Sequence, residues 1–110
     1  MTMIAVQEKY LDTLKAFGDV NAQINQVIED YVTRRIIERV RIARENTREF
    51  EAKYAMPYAT FAERVQLNED FYNQVSQANP LWEQDALVWR HWSEELQHWN
   101  SELNDILNKS

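Results

Sequence analysis

Residues 21–54 read NAQINQVIEDYVTRRIIERVRIARENTREFEAKY, a run with neither glycine nor proline. A helix that meets no breaker has no local reason to stop, so this segment is expected to stay helical from about 21 to 54, just short of Pro57. The apolar positions agree with that reading. Ile24, Val27, Ile28, Tyr31 and Val32 give the first part a broad apolar face. The face then narrows to Ile36, Val40, Ala43, Thr47, Phe50 and Tyr54, whose steps of four and three are coiled-coil spacing. At about 1.5 Å per residue the helix would be roughly 50 Å long. A stripe of that length in a chain of 110 residues predicts helix packing with a dimer mate.

Toward the N-terminus, Gly18 is the only glycine of the chain. It sits where a short helix over 8–17, carrying Tyr10, Leu11, Leu14 and Phe17 at helical spacing, should end. Asp19 or Asn21 can cap the helix that follows. Before it, TMIAVQ (2–7) is a β-branched and apolar run that reads as a short strand or an ordered arm.

Toward the C-terminus, Pro57 suits a first helical turn, and Thr60-x-x-Glu63 is an alternative capping box for the same helix. Asn68-Glu-Asp opens a short helix bearing Phe71, Tyr72 and Val75. Asn79-Pro80 then starts a last helix over about 81–107. It holds all four tryptophans, and Trp82, Trp89, Trp92, Leu96, Trp99, Leu103 and Ile106 fall on one heptad seam. The opposite face carries Glu83, Arg90, Glu94, Glu95, Gln97 and Glu102. Such a stripe is either the protein's own core or an anchor surface for a partner.

Composition agrees with an all-α chain: a short N-terminal arm or strand, one long central helix, short helices and a long Trp-rich C-terminal helix. One Gly and two Pro are too few for strands joined by tight turns. With no Cys there is no disulfide, thiolate metal site or cysteine nucleophile, which fits a reducing cytoplasm. No signal-like N-terminus and no run of about 18 apolar residues occur, so the expected setting is soluble and cytoplasmic, without a membrane. The net charge of −6 is uneven. Residues 1–55 carry nine basic and nine acidic side chains, and residues 56–110 carry three and nine, which is the whole excess. The expected organisation is therefore a dimerising helix–turn–long-helix part over 1–55 and an acidic, Trp-rich part over 56–110. Within the first, Arg34, Arg35, Arg39, Arg41, Arg44 and Arg48 gather against Glu38 and Glu45.

Catalytic chemistry has little to stand on. One glycine makes no phosphate loop, and the serines (Ser76, Ser93 and Ser101, with Ser110 at the end of the sequence) lack the flanking glycines of a nucleophile elbow. His91, Glu94, Glu95 and His98 lie at i, i+3, i+4 and i+7, and Glu95-x-x-His98 matches one half of a di-iron bundle motif. A second copy of the motif is missing from the chain, so these residues read as polar neighbours of the Trp stripe. No catalytic residue, metal or cofactor is expected.

The stretch LDTLKAFGDVNAQINQVIEDYV (11–32) resembles the helix–turn–helix half of ribbon-helix-helix proteins, small dimeric DNA binders that often serve as antitoxins. The resemblance implies that the arm over 2–7 pairs with a dimer mate and reads bases through the outward Met3, Ala5 and Gln7. It also implies that the amides of Asn21 and Ala22 hold a phosphate of operator DNA. RRIIERVRIARENTREFEAKYAMPYATFAERV (34–65) with NPLWEQDALVWRHWSEELQHWNSEL (79–103) is similar to small helical proteins labelled as antitoxin components of prokaryotic toxin–antitoxin pairs. That resemblance implies a cognate toxin partner, which is basic in many such pairs, bound through Trp82, Trp89, Trp92, Leu96, Trp99 and Leu103. The other reading is a helical homo-oligomer with a scaffolding role, no DNA binding, and the Trp stripe as its core.

Overall fold

The computed structural model describes residues 6–108, and all regular structure among them is helical. The elements are α1 (Glu8–Ala16), α2 (Val20–Tyr54), α3 (Tyr58–Leu67), α4 (Glu69–Ala78) and α5 (Trp82–Asn108). The uninterrupted central helix and the long C-terminal one stand where the absence of breakers placed them. The chain divides into two compact units, Met1–Arg35 and Ile36–Ser110, with the division inside α2.

The first unit is a helical hairpin. Glu8 stands in the first turn of α1 and Lys15 in the last, each facing the favourable end of the helix dipole. The helix closes with N–H bonds from Phe17 to the Leu14 carbonyl (3.0 Å) and from Gly18 to the Lys15 carbonyl (3.3 Å). Gly18 has φ +125°, a backbone conformation that disfavours any side chain. A Cβ there would meet nothing within 4 Å, so conformation and not crowding is what this turn asks of glycine. Of the two candidate caps it is Asp19 that starts α2: its Oδ1 accepts from the amides of Asn21 (2.9 Å) and Ala22 (3.3 Å). Gln23 ties the hairpin together by donating from Nε2 to the Leu14 carbonyl at 2.8 Å. No described residue of this unit is buried.

The second unit is built on aromatic rings. Residues 36–54 of α2 run into Ala55, whose φ of +60° ends the helix without a glycine. Pro57 is the N-cap of α3, one position earlier than a first-turn residue, so the Thr60–Glu63 box lies within the helix and does not cap it. Asn68 closes α3 and caps α4, its side chain accepting from the Phe71 amide at 3.0 Å. The core consists of Tyr54, Phe61, Val75 and Trp89, with Phe50, Met56, Tyr58, Val65, Phe71, Trp82 and Ala86 packed around it. Trp89 is wholly enclosed. Phe50 and Tyr54 stack on it at 5.8 and 5.5 Å between ring centres, and Tyr58 meets it edge-on at 5.4 Å. Phe61 lies 5.2 Å from it and reaches Phe71 and Trp82 at 5.9 and 6.0 Å.

These pairs fix the direction of the two long helices within the unit. Tyr54 meets Asp85 and Phe50 meets Trp89, so four positions back along α2 correspond to four forward along α5. The helices are antiparallel. Continued at that register, Thr47, Ala43, Val40 and Ile36 would fall opposite Trp92, Leu96, Trp99 and Leu103. The burial of the first four and the half-burial of the second four fit that pairing.

Candidate partner-binding surfaces

The Trp stripe faces inward along the second unit. Trp89 is fully buried, whereas Trp82, Trp92, Leu96, Trp99 and Leu103 are half-buried. Two indole N–H groups have partners: Trp82 Nε1 donates to Ser76 Oγ (3.1 Å), and Trp99 Nε1 donates to Glu95 Oε2 (2.7 Å). Trp89 Nε1 is buried and has none. A stripe held this way contributes mainly packing, and what a partner would meet first is the outer face of α5.

That outer face combines charge with apolar side chains. Leu87 is 68% exposed, and Leu81, just before the helix, is 64% exposed, each far more open than any core residue. Tyr58, Trp82, Glu83, Ala86, Leu87 and Arg90 line an open depression of about 270 Å³ beside Leu87. Glu83, Glu102 and Asp105 have no ion pair among the described residues, while Glu94 is held by Arg90 Nε at 3.0 Å. The sequence offered no sign of this depression, because Tyr58 and α5 meet only through the tertiary fold.

His91, Glu94, Glu95 and His98 line a shallow exposed depression of about 200 Å³ on α5 alone. Among the described residues no group of side chains is arranged to hold a metal ion. Trp99 already occupies a Glu95 oxygen.

Asp85 is the functional-looking carboxylate that motif reading passed over. It accepts from Lys53 Nζ and from the Tyr54 hydroxyl, both at 2.6 Å. Lys53 first, then Tyr54, hold its carboxyl below the usual range. Burial, and then the bond to Asp85, push the Tyr54 phenol well up. The link spans 31 positions in sequence, so no local pattern could announce it. Its arrangement is that of a clip between α2 and α5.

On α2, Arg41 is held by Glu38 and Glu45, and the side-chain bonds to these two carboxylates raise its pKa further. Ile37, Val40, Arg41, Arg44, Glu45 and Arg48 line a depression of about 300 Å³, with Ile37 half exposed. Arg44 and Arg48 make no ion pair among the described residues.

In the first unit, Met3 and Ala5 lie outside the described residues, as does most of the arm over 2–7. Gln7 is the exposed N-cap of α1, in extended conformation and making no side-chain cap bond. The amides of Asn21 and Ala22 are the ones that Asp19 takes, so an incoming phosphate would compete with a carboxylate of the same charge. The unit carries an apolar concavity. Val6, Tyr10, Thr13 and Leu14 on one side and Gln23, Ile24, Val27 and Ile28 on the other line a groove of about 370 Å³.

No helix among the described residues is long and apolar enough to cross a membrane. No protein-family model matches the chain, and comparison with curated proteins and with solved structures found no match.

Proposed function

We propose that this chain is a non-enzymatic helical interaction protein, an antitoxin that captures a basic partner toxin on the acidic exterior of its second unit. The observation that carries the reading is the outer face of α5. It sets an exposed Leu87 and a Tyr58–Trp82–Ala86 depression beside Glu83, which, like Glu102 and Asp105 further along α5, makes no ion pair among the described residues. Carboxylates steer a basic partner during approach, and an apolar depression supplies the contact that holds it. The aromatic core beneath keeps that surface preorganised, so little ordering cost accompanies binding. Operator binding has less behind it, because Asp19 already fills the Asn21 and Ala22 amides.

The burial of Trp89 favours a second reading, a helical homo-oligomer in which the stripe is simply core. Co-expression with the product of the neighbouring gene separates the two. The antitoxin reading expects that product to arrest growth alone, to be harmless with this chain, and to co-purify with it in a salt-sensitive manner. Glu83→Lys with Leu87→Lys should release it. A neighbour that is harmless alone, or that does not co-purify, removes the reading.

A further inference from the structure

The first unit has a folding problem that its own residues do not solve. Residues 6–35 form two helices without one buried side chain. Pieces of fewer than about 40 residues usually need a disulfide, a metal or association to hold a fold. The chain has no cysteine, and no metal-holding group occurs among the described residues. Association is the remaining route, and the unit carries a surface for it. Tyr10, Thr13 and Leu14 share one face of α1, and Ile24, Val27 and Ile28 share one face of α2, with the groove of about 370 Å³ between them. Phe17 and Tyr31 extend the two stripes. Phe17, Val27, Tyr31 and Tyr10 are 76, 65, 61 and 53% exposed, so this is an apolar face left to solvent.

We propose that this groove is filled by the same groove of a second copy, making an intermolecular four-helix core from two hairpins. A two-fold contact needs a surface complementary to itself, and two apolar walls meeting two apolar walls satisfy that need. Charge permits it. Residues 6–35 carry Glu8, Asp12, Asp19, Glu29 and Asp30 against Lys9, Lys15, Arg34 and Arg35, so two copies approach without appreciable repulsion. A strongly charged partner would find no counterpart there. The area is also sufficient. With roughly 150–250 Å² for an aromatic side chain, the exposed parts of Tyr10, Phe17, Val27, Ile28 and Tyr31 come to roughly 600 Å² per copy. Two copies would bury roughly 1,200 Å², the lower edge of a stable specific interface. The pairing is independent of what the second unit binds.

Sedimentation equilibrium of the full chain tests this. Between about 1 and 100 μM the wild type should move from 13.2 kDa to twice that mass. Val27→Asp would place a carboxylate at the centre of the four-helix core, and should weaken the dimer by about 100-fold or more. Tyr31→Ser, on the same stripe, should weaken it by about tenfold. Both positions are exposed in the single chain, so the unfolding of the second unit, reported by its four tryptophans, should not change. A wild type that stays at 13.2 kDa throughout overturns the proposal and leaves the groove to a different protein. A dimer that survives both substitutions overturns it too, since the contact would then lie elsewhere.

Discussion

The two units of this chain use the same secondary structure to different ends. The second encloses Trp89 of α5 among Phe50 and Tyr54 of α2 and Tyr58 and Phe61 of α3, and α4 closes on that ring cluster with Phe71 and Val75. The first has two helices, a glycine turn and a capping aspartate, all well formed locally, yet encloses nothing. The difference shows how little local rules contribute once caps and periodicity are satisfied. Both units obey them, and only the one with rings to bury makes a core. Helical stability in proteins comes largely from tertiary packing of the apolar face, so the first unit should depend on association where the second does not.

The sharpest way to break this contrast is to empty the core. Trp89→Ala should cost about 3–5 kcal/mol, the range for removing a large buried aromatic, with little collapse because the surrounding rings are rigid. Urea unfolding followed by the remaining tryptophans measures it. A loss below about 1 kcal/mol would mean that the rings do not hold the second unit together.

Next in size is the clip between α2 and α5. Asp85→Asn removes the charge that Lys53 and Tyr54 bind, and a bond to a charged group is worth about 1.5–3 kcal/mol. Lys53 is half exposed, so screening brings the expected loss to about 1–2 kcal/mol. The pH profile carries a signature. The carboxyl of Asp85 is depressed in the fold, so its contribution is complete above the ordinary carboxylate range and is lost as pH falls through the depressed value. The Tyr54 phenol is raised, so its contribution is complete below the ordinary phenol range and is lost as pH rises through the raised value. The wild-type minus Asp85→Asn difference should therefore be flat near neutrality and shrink toward acid. A difference that grows toward acid would refute the assignment.

A matched pair of caps compares the units directly. Asn68→Ala frees the Phe71 amide and Asp19→Ala frees those of Asn21 and Ala22, each a loss of about 1 kcal/mol. In the second unit the loss should appear as a lower melting temperature by tryptophan emission. In the first it should appear as reduced helicity and, through the hairpin, a weaker dimer, with tryptophan emission unmoved. Equal shifts of the tryptophan transition for both variants would mean that the chain melts as one body.

How much of this was legible follows the range of each interaction. The run from 21 to 54 and the heptad seam of the tryptophans are periodic, and periodicity survives in sequence. Whether Trp89 faces its own chain or a partner could not be read, because a helix shows the same stripe in either case. The Tyr54–Asp85 bond and the Tyr58 wall of the α5 depression were out of reach, since both depend on the register of helices about 30 positions apart. Asp19 shows the intermediate case: it was one of two caps within reach, and the turn geometry selected it.

The smallest effect concerns a stop signal that the residues conceal. Gly18 and Ala55 both follow helices with positive φ, but only the first is a glycine. An L-residue in the left-handed region costs about 1–2 kcal/mol, and glycine adds back about 0.5–1 kcal/mol of chain entropy. Ala55→Gly should therefore stabilise the second unit by about 0.5–1 kcal/mol, seen as a raised midpoint in urea. Gly18→Ala should do the opposite in the first unit even though space is open around it. If Ala55→Gly lowers stability instead, the end of α2 is not set by this backbone turn, and the Tyr54 ring stacked on Trp89 becomes the feature that holds it there.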